Sequence, residues 1–237
     1  MTLEDAETIV RLLGGVLLGV AWTVAGVGAV RAMGHPTGRA LGVARTKGAA
    51  VAYLLAGVPY LLACVALWRP LPLEPSDGVR VAGLAIGGLL GSAGFALYLW
   101  GRLALGDMYN VSSSLGSELF EQHRLVVSGP YRFVRHPMYA GIVLAAPGAL
   151  LVYRTWTMVF ALVALPGLAV KAAHEDRLLA EEIGEPFDAY RTRVPGWIPR
   201  PGRLHGRTDP GGADPDPTSG PGGGRRNRQE PLVMGGG

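Results

Sequence analysis

The chain has 237 residues, a formal net charge of +4, and 49% apolar but only 17% charged residues. Soluble domains carry about 25% charged residues, and here the missing charge is concentrated in long uncharged runs. This pattern excludes an ordinary soluble globular domain. The runs show no alternation of period two, which argues against a transmembrane barrel.

Five apolar segments predict five transmembrane helices. Residues 12–30, 48–68 and 81–101 contain no charged side chain over 19, 21 and 21 residues, and about 20 apolar residues cross a bilayer. Residues 138–153 and 155–170 are shorter, at 16 residues each. We expect these two to form a tight helical hairpin extended by flanking residues. The alternative is a re-entrant pair that turns back inside the bilayer.

The flanks and interior of these segments refine the prediction. Glu4, Asp5 and Glu7 precede the first run, whereas a cleaved signal peptide needs a positively charged leader. We therefore expect the first run to be a retained membrane span. Pro147 and Pro166 lie inside the last two segments and are expected to kink both helices.

The basic residues predict the orientation in the membrane. Five spans place the termini on opposite sides, and the loops on the C-terminal side hold 18 of the 22 Lys and Arg residues. The opposite loops hold only Arg11, Arg69, Arg80 and Arg154. The positive-inside rule then predicts an external N-terminus and a cytoplasmic C-terminus. Arg outnumbers Lys by 20 to 2, which indicates a GC-rich genome. We expect the membrane to be a bacterial cytoplasmic membrane.

The chain divides into three parts. Residues 1–101 hold three predicted spans, and residues 102–205 hold a connector, the hairpin and C-terminal helices. Residues 206–237 include 15 Gly or Pro among 32 residues, and we expect this tail to be disordered. We expect the lipid bilayer as a partner and no nucleic acid, because no basic cluster is interleaved with aromatic residues. The single Cys64 excludes an intramolecular disulfide, and we predict no metal site.

The first polar segment, residues 123–141, precedes the hairpin and reads HRLVVSGPYRFVRHPMYAG. Pro137 disfavours helical geometry at His136 and favours the start of a helix. His136 is thus predicted beside a helix N-terminus, where free N–H groups attract the oxygens of a ligand. The alternative is that Arg135 and the neighbouring tyrosines only anchor the membrane interface.

The second polar segment, residues 171–199, follows the hairpin. Lys171, Glu175 and Glu182 fall on one helical face, and Gly184 is expected to end that helix. A simple i,i+4 pair between Lys171 and Glu175, or a surface role for Glu175, is the alternative to a binding role. Because one hairpin joins the two polar segments, they are expected to return to the same side of the membrane.

These motifs resemble a known family. The strings GPYRFVRHPMY, HEDRLL, GEPFDAY and RVPGWIP, separated by the hairpin, resemble the isoprenylcysteine carboxyl methyltransferase family over about residues 102–200. This family belongs to a larger group of membrane methyltransferases that includes phospholipid methyltransferases. The resemblance implies an S-adenosylmethionine-dependent enzyme whose donor binds at the cytosolic ends of the last two spans and the C-terminal helices. It implies a lipophilic or prenylated acceptor.

The resemblance also implies roles for individual residues. Carried over by motif, the cofactor-binding residues are His123, Arg124, Leu125, Val126, Tyr131, His136, Pro137, Met138, Tyr139 and Glu175. The chain departs from the family at Asp176, where a second Glu is usual, and at Lys171, where eukaryotic members carry an Arg associated with substrate. Arg binds a carboxylate in a fork, whereas Lys offers a point charge. We expect Lys171 and Arg135 to contact the substrate, with Arg135 orienting an anionic acceptor as the catalytic candidate.

Other functions stay open at this point. A phospholipid N-methyltransferase or a small-thiol S-methyltransferase would belong to the same superfamily. A sterol-reductase-like NADPH enzyme shares a similar Arg-His-Pro-x-Tyr segment but usually has Asn in place of Met138. A scaffold or transporter is opposed by the absence of charged residues from the first three spans. The acceptor and the oligomeric state are left undetermined by the sequence.

Overall fold

The structure of the protein is a computed structural model. It describes residues 2–32, 37–42, 49–109, 116–120 and 124–199. His123 and the tail predicted to be disordered, residues 206–237, lie outside the described residues.

The described chain is mainly helical. Its α-helices are α1 (Leu3–Ala32), α2 (Ala49–Ala66), α3 (Asp77–Leu105), α4 (Pro137–Tyr153), α5 (Trp156–Ala164), α6 (Pro166–Ile183) and α7 (Glu185–Arg193). Short 3-10 turns cover Gly106–Met108 and Gly129–Arg132. The prediction of a helical protein is confirmed in this part of the chain.

One short antiparallel ladder was not predicted. Strand β1 (Thr37–Gly42) pairs with β2 (Gly116–Phe120). The sequence of β1, TGRALG, contains two glycines and no alternation of apolar and polar residues, so strand propensity gives no signal there. The all-helical prediction therefore needs this correction outside the apolar segments.

Three stretches of the described chain are long and apolar enough to cross a membrane: Leu3–Val27, Asp77–Leu105 and Trp156–Ile183. Shorter apolar helices cover Gly57–Ala66 and Pro137–Tyr153. These stretches support an integral membrane protein. The arrangement of five complete spans stays a prediction, because three of the described stretches have the length and composition of a membrane span.

One helix boundary differs from the expectation, and another lies at Pro166, where a kink was expected. Helix α1 begins at Leu3 and thus includes the acidic residues that precede the first apolar run. The last apolar segment divides at Leu165, where α5 ends and α6 begins with Pro166, because proline lacks the N–H that would continue the helix. Helix α6 then runs without interruption to Ile183. The same helix therefore contains the end of the apolar segment, residues 166–170, and the polar residues Lys171 and Glu175.

Helices α3 and α4 pack antiparallel through glycines. A Cβ at Gly94 would lie 2.5 Å from the carbonyl oxygen of Gly141, and one at Gly148 would lie 2.7 Å from that of Gly87. The two backbones are therefore in direct contact, as small residues permit between membrane helices. This packing brings the end of α3 beside the start of α4.

The opposite end of these helices holds a group of charged residues that we call the Glu7 cluster: Glu7, Arg11, Arg80 and Arg154. Glu7 is only 6% exposed. Its carboxylate lies 2.6 Å from Arg154 Nη2, 3.0 Å from Arg80 Nε and 3.6 Å from Arg11 Nη2. Tyr153 donates a hydrogen bond to the Arg11 carbonyl at 2.7 Å. The cluster thus joins α1, α3 and the α4–α5 turn.

Candidate active site

The site is built around the start of α4. Pro137 is the first residue of the helix, and His136 precedes it with φ −122° and ψ 59°. The main-chain N–H of His136 donates to Gly196 O at 3.0 Å, and that of Arg135 donates to Pro195 O at 2.9 Å. The chain that follows α7 is therefore held against this corner, which fixes His136 at the helix N-terminus as predicted.

Two adjacent carboxylates of α6 contact the His136 ring, which is 7% exposed. Nδ1 lies 3.8 Å from Glu175 Oε2, and Nε2 lies 3.1 Å from Asp176 Oδ1. Because an ionised carboxylate only accepts hydrogen bonds, Nε2 carries the proton in the contact with Asp176. Tyr139 donates a hydrogen bond to Glu175 Oε1. The two polar segments, separated by the hairpin in sequence, thus meet at one place.

Three aromatic rings lie close together at this corner. The His136 and Tyr139 rings are stacked at 5.6 Å with an interplanar angle of 11°. The Trp197 ring lies 5.9 Å from His136 and 6.1 Å from Tyr139. Lys171 Nζ lies 4.9 Å from the centre of the Tyr139 ring. This arrangement presents aromatic faces and carboxylate oxygens together, which suits a cationic aromatic ligand.

The Arg135 guanidinium already has protein partners. Nη2 lies 2.8 Å from Asp176 Oδ2, and Nη1 donates to Val194 O at 2.7 Å and to Arg191 O at 3.2 Å. The side chain therefore ties the start of α4 to α6 and to the end of α7. Its role in orienting an anionic acceptor stays a prediction, and such an acceptor would compete with these oxygens.

Tyr131 and Tyr190 form the buried support of the corner. Tyr190 donates a hydrogen bond to the Tyr131 carbonyl at 2.6 Å. Burial raises the pKa of Tyr190 to about 12 and raises the pKa of Tyr131 well above its usual range. Both phenols are therefore neutral near pH 7, and neither can act as a general base there.

The other predicted cofactor residues occupy different surroundings. Pro137 is almost fully buried, and Met138 packs against α3, where a Cβ at Gly101 would lie 2.8 Å from Met138 Cγ. The main-chain N–H of Arg124 contacts Met108 Sδ at 3.3 Å, which links residues 124–126 to the connector after α3. The binding roles predicted for Leu125, Val126 and the other residues stay predictions.

Two residues of the site were not assigned from the sequence. Asp176 was noted only as a departure from the family, yet it contacts both Arg135 and His136. Trp197 lies in the quoted string RVPGWIP but received no role. The adjacent acidic pair in HEDRLL was the available signal for Asp176, because neighbouring helical residues point 100° apart and can reach two partners.

Comparison with known proteins gives matches over the part of the chain that contains α4 and most of α6. The model of the isoprenylcysteine carboxyl methyltransferase family matches residues 89–182, which include α4 and the adjacent Glu175 and Asp176 of α6. The protein-S-isoprenylcysteine O-methyltransferase of Schizosaccharomyces pombe is 31% identical over 90 residues, 37% of this chain and 38% of that protein. Protein-S-isoprenylcysteine O-methyltransferase B of Arabidopsis thaliana is 31% identical over 81 residues, 33% of this chain and 41% of that protein.

A probable protein-S-isoprenylcysteine O-methyltransferase of Oryza sativa subsp. indica is 30% identical over 81 residues, 33% of this chain and 42% of that protein. The matched region thus spans about two fifths of the length of these curated relatives. Trp197 lies outside the matched residues, as do Glu7, Arg11 and Arg80 of the Glu7 cluster, whereas Arg154 lies within them. The match confirms the resemblance carried by the motifs: residues 89–182, which contain the hairpin, are similar to the isoprenylcysteine carboxyl methyltransferase family.

Proposed function

We propose that this protein is an integral membrane methyltransferase that uses S-adenosylmethionine and methylates a lipophilic or prenylated acceptor at the cytoplasmic face. One observation carries the proposal. His136 and Glu175 come from segments on either side of the hairpin, yet His136 Nδ1 lies 3.8 Å from Glu175 Oε2, beside three aromatic rings. Both residues lie within the matched family region.

The chemistry of these residues fits the donor. S-adenosylmethionine supplies an electrophilic methyl group on a sulfonium centre, together with a ribose, a purine, an ammonium group and a carboxylate. Glu175 accepts hydrogen bonds from ribose hydroxyls or from the ammonium group. Tyr139 and Trp197 offer faces that attract a cation or stack on a purine. The first turn of α4 adds N–H groups that favour ligand oxygens.

The protein contributes alignment and exclusion of water. Methyl transfer is an in-line displacement in which the methyl–sulfur bond breaks as the bond to the acceptor forms, so positioning is the main requirement. His136, Met138 and Tyr139 are all buried and are held by α6 or by α3. An ionised carboxylate acceptor loses no proton, so no general base is needed for it, and none is assigned.

Lys171 favours an anionic acceptor. Its ammonium group lies 4.9 Å from the Tyr139 ring centre and one helical turn from Glu175, so a positive charge adjoins the donor residues. The names of the relatives refer to O-methylation of an isoprenylcysteine. We therefore expect the acceptor to join an apolar chain to a carboxylate.

Donor binding tests the site. Calorimetry on the full-length protein in detergent is expected to show binding of S-adenosylmethionine that His136→Ala and Glu175→Gln weaken about tenfold or more, as expected when a charge-assisted hydrogen bond is lost. Glu181→Gln is the matched control, because this carboxylate lies on the same helix and pairs with Arg177 at 2.9 Å.

Unchanged binding in both site variants would remove the site assignment. Binding of NADPH in place of S-adenosylmethionine would instead support the reductase alternative. Incubation of membranes with methyl-labelled donor, with and without the gene, would identify the acceptor from the labelled product.

The proposed orientation has its own test. With five spans, the N-terminus is external, and the C-terminus and the loop of residues 31–47 are cytoplasmic, in what we take to be a bacterial cytoplasmic membrane. Reporter fusions at residue 237 and within that loop are expected to report a cytoplasmic location. An external signal at either position would refute the five-span arrangement.

A further inference from the structure

A buried arginine lies beside the candidate site without an acidic partner among the described side chains. Arg102 is in the last turn of α3 and is 8% exposed. Its Nη1 donates to Gly106 O at 3.2 Å, and its Cζ lies 4.1 Å from the centre of the Tyr109 ring. Its Nε is buried and has no hydrogen-bond partner in the part of the chain that the structure describes.

These contacts account for only part of the guanidinium. A positive charge in the last turn of a helix is favourable, and the Tyr109 face adds a cation–π contact. A buried charge still needs an opposite charge or full hydrogen bonding to offset its lost hydration. A buried donor without an acceptor is rare in proteins and requires an explanation. A negatively charged ligand would supply both the missing acceptor and the missing opposite charge.

Arg102 adjoins the residues that we propose for the donor. The residue before it, Gly101, packs on Met138, since a Cβ there would lie 2.8 Å from Met138 Cγ. Tyr109, whose ring it covers, packs against the buried cluster of Met138, Tyr139 and Ala172. Burial raises the pKa of Tyr109, the Arg102 charge lowers it and the Glu175 charge raises it, so both charges act on one phenol.

We propose that Arg102 binds a ligand carboxylate at this site. This inference rests on the proposed function. The amino-acid end of S-adenosylmethionine carries an ammonium group and a carboxylate, and the site offers an opposite charge for each: Glu175 on α6 and Arg102 on α3. An isoprenylcysteine-type acceptor also ends in a carboxylate. The shared chemistry is a carboxylate in the fork of a guanidinium.

Two pairs of probes separate the two sources. The first pair is S-adenosylmethionine and its decarboxylated form, and the second is N-acetyl-S-farnesylcysteine and its methyl ester. Each pair differs only at the carboxylate. Each probe is titrated into the full-length protein in detergent, and the thermal midpoint of every variant is recorded. The variants are Arg102→Gln, Arg102→Lys and the control Arg132→Gln. Arg132 is exposed at the same end of the molecule and covers the Phe133 ring at 4.4 Å.

If the donor supplies the carboxylate, Arg102→Gln weakens the binding of S-adenosylmethionine by about tenfold to 100-fold. The affinity for the decarboxylated form is then unchanged. If the acceptor supplies it, the preference for the acid over the methyl ester is lost instead. Arg102→Lys keeps the positive charge, so its affinity for the carboxylate-bearing probe is expected to lie between those of wild type and Arg102→Gln. A purely structural role would lower the thermal midpoint without changing either preference.

Three results would overturn the inference or its basis. Equal preferences in wild type and in both Arg102 variants would overturn it while leaving the proposed function intact. An equal loss in Arg132→Gln would show a general charge effect and would also overturn it. If wild type binds neither form of the donor, the proposed function fails and the inference fails with it.

Discussion

The two ends of α4 differ in how their charges are used. At one end, the Glu7 carboxylate lies within reach of three arginines, and the main-chain carbonyls of Arg11 and Val152 accept further hydrogen bonds. At the other end, Glu175 and Asp176 share one histidine beside aromatic rings, and a buried Arg102 Nε lacks a partner among the described residues. The first end satisfies its charges within the protein. The second end leaves part of the Arg102 guanidinium unsatisfied among the described residues.

Both ends depend on the same helix. Helix α4 has 17 residues, so about 25 Å separates its termini at about 1.5 Å per residue. Arg154 follows its last residue with φ 51° and ψ 47°, and His136 precedes its first. A buried ion cluster therefore does not by itself mark an active site. A histidine ring between two carboxylates, with Tyr139 and Trp197 beside it, distinguishes the His136 end.

The largest effect is expected from Glu7→Gln. The change removes the buried negative charge that Arg11, Arg80 and Arg154 share, which costs about 3 kcal/mol of unfolding free energy. Thermal unfolding in detergent measures the loss. Asp77→Asn is the control, because Asp77 also pairs with Arg80, at 3.2 Å, but is 82% exposed, and exposed pairs contribute about 1 kcal/mol or less. Equal losses in the two variants would contradict a structural role for the buried cluster.

The contact that connects the two ends is tested by Gly94→Ala. The new Cβ would lie 2.5 Å from Gly141 O, so α3 and α4 must separate, at a cost of about 1–3 kcal/mol. Gly88→Ala on the same helix meets nothing within 4 Å and is expected to be neutral or slightly stabilising. We expect Gly94→Ala to weaken donor binding as well, because α3 positions Met138. Similar thermal midpoints for the two variants would refute close helix contact.

The sequence was informative where local patterns decide the structure. The apolar segments, the Pro137 helix start and the return of both polar segments to one place follow from composition, proline geometry and the hairpin. The Glu7 cluster could not be predicted, because Glu7 and Arg154 are 147 residues apart and no periodicity relates them. The hydrogen bonds of the Arg135 guanidinium within the protein were missed for the same reason, since their acceptors lie 41 to 59 residues away in the sequence.

Variants of the adjacent Glu175 and Asp176 test which residue of the His136 end serves donor binding and which serves stability. Asp176→Asn removes the charge that holds Arg135 and orients His136, so we expect losses of about 1–2 kcal/mol in unfolding free energy and about tenfold in donor affinity. Glu175→Gln is expected to weaken donor binding with a smaller effect on stability. Calorimetry and thermal unfolding of the same samples provide both values. If Glu175→Gln destabilised the protein more than Asp176→Asn, their proposed roles would have to be exchanged.

The smallest effect concerns alkaline pH. The folded-state pKa of Tyr190 is raised to about 12 by burial, above the value of about 10 in an unfolded chain. Its contribution to stability is therefore fully present below pH 10 and is lost as the pH rises from 10 to 12, with about 1 kcal/mol lost by pH 11. Tyr190→Phe removes this titration along with the hydrogen bond to Tyr131. The difference in unfolding free energy between wild type and Tyr190→Phe should thus be constant below pH 9 and should shrink toward pH 11. A constant difference across that range would mean that Tyr190 ionises as in an unfolded chain, and that the support beneath the His136 corner is more open to water than the buried contacts indicate.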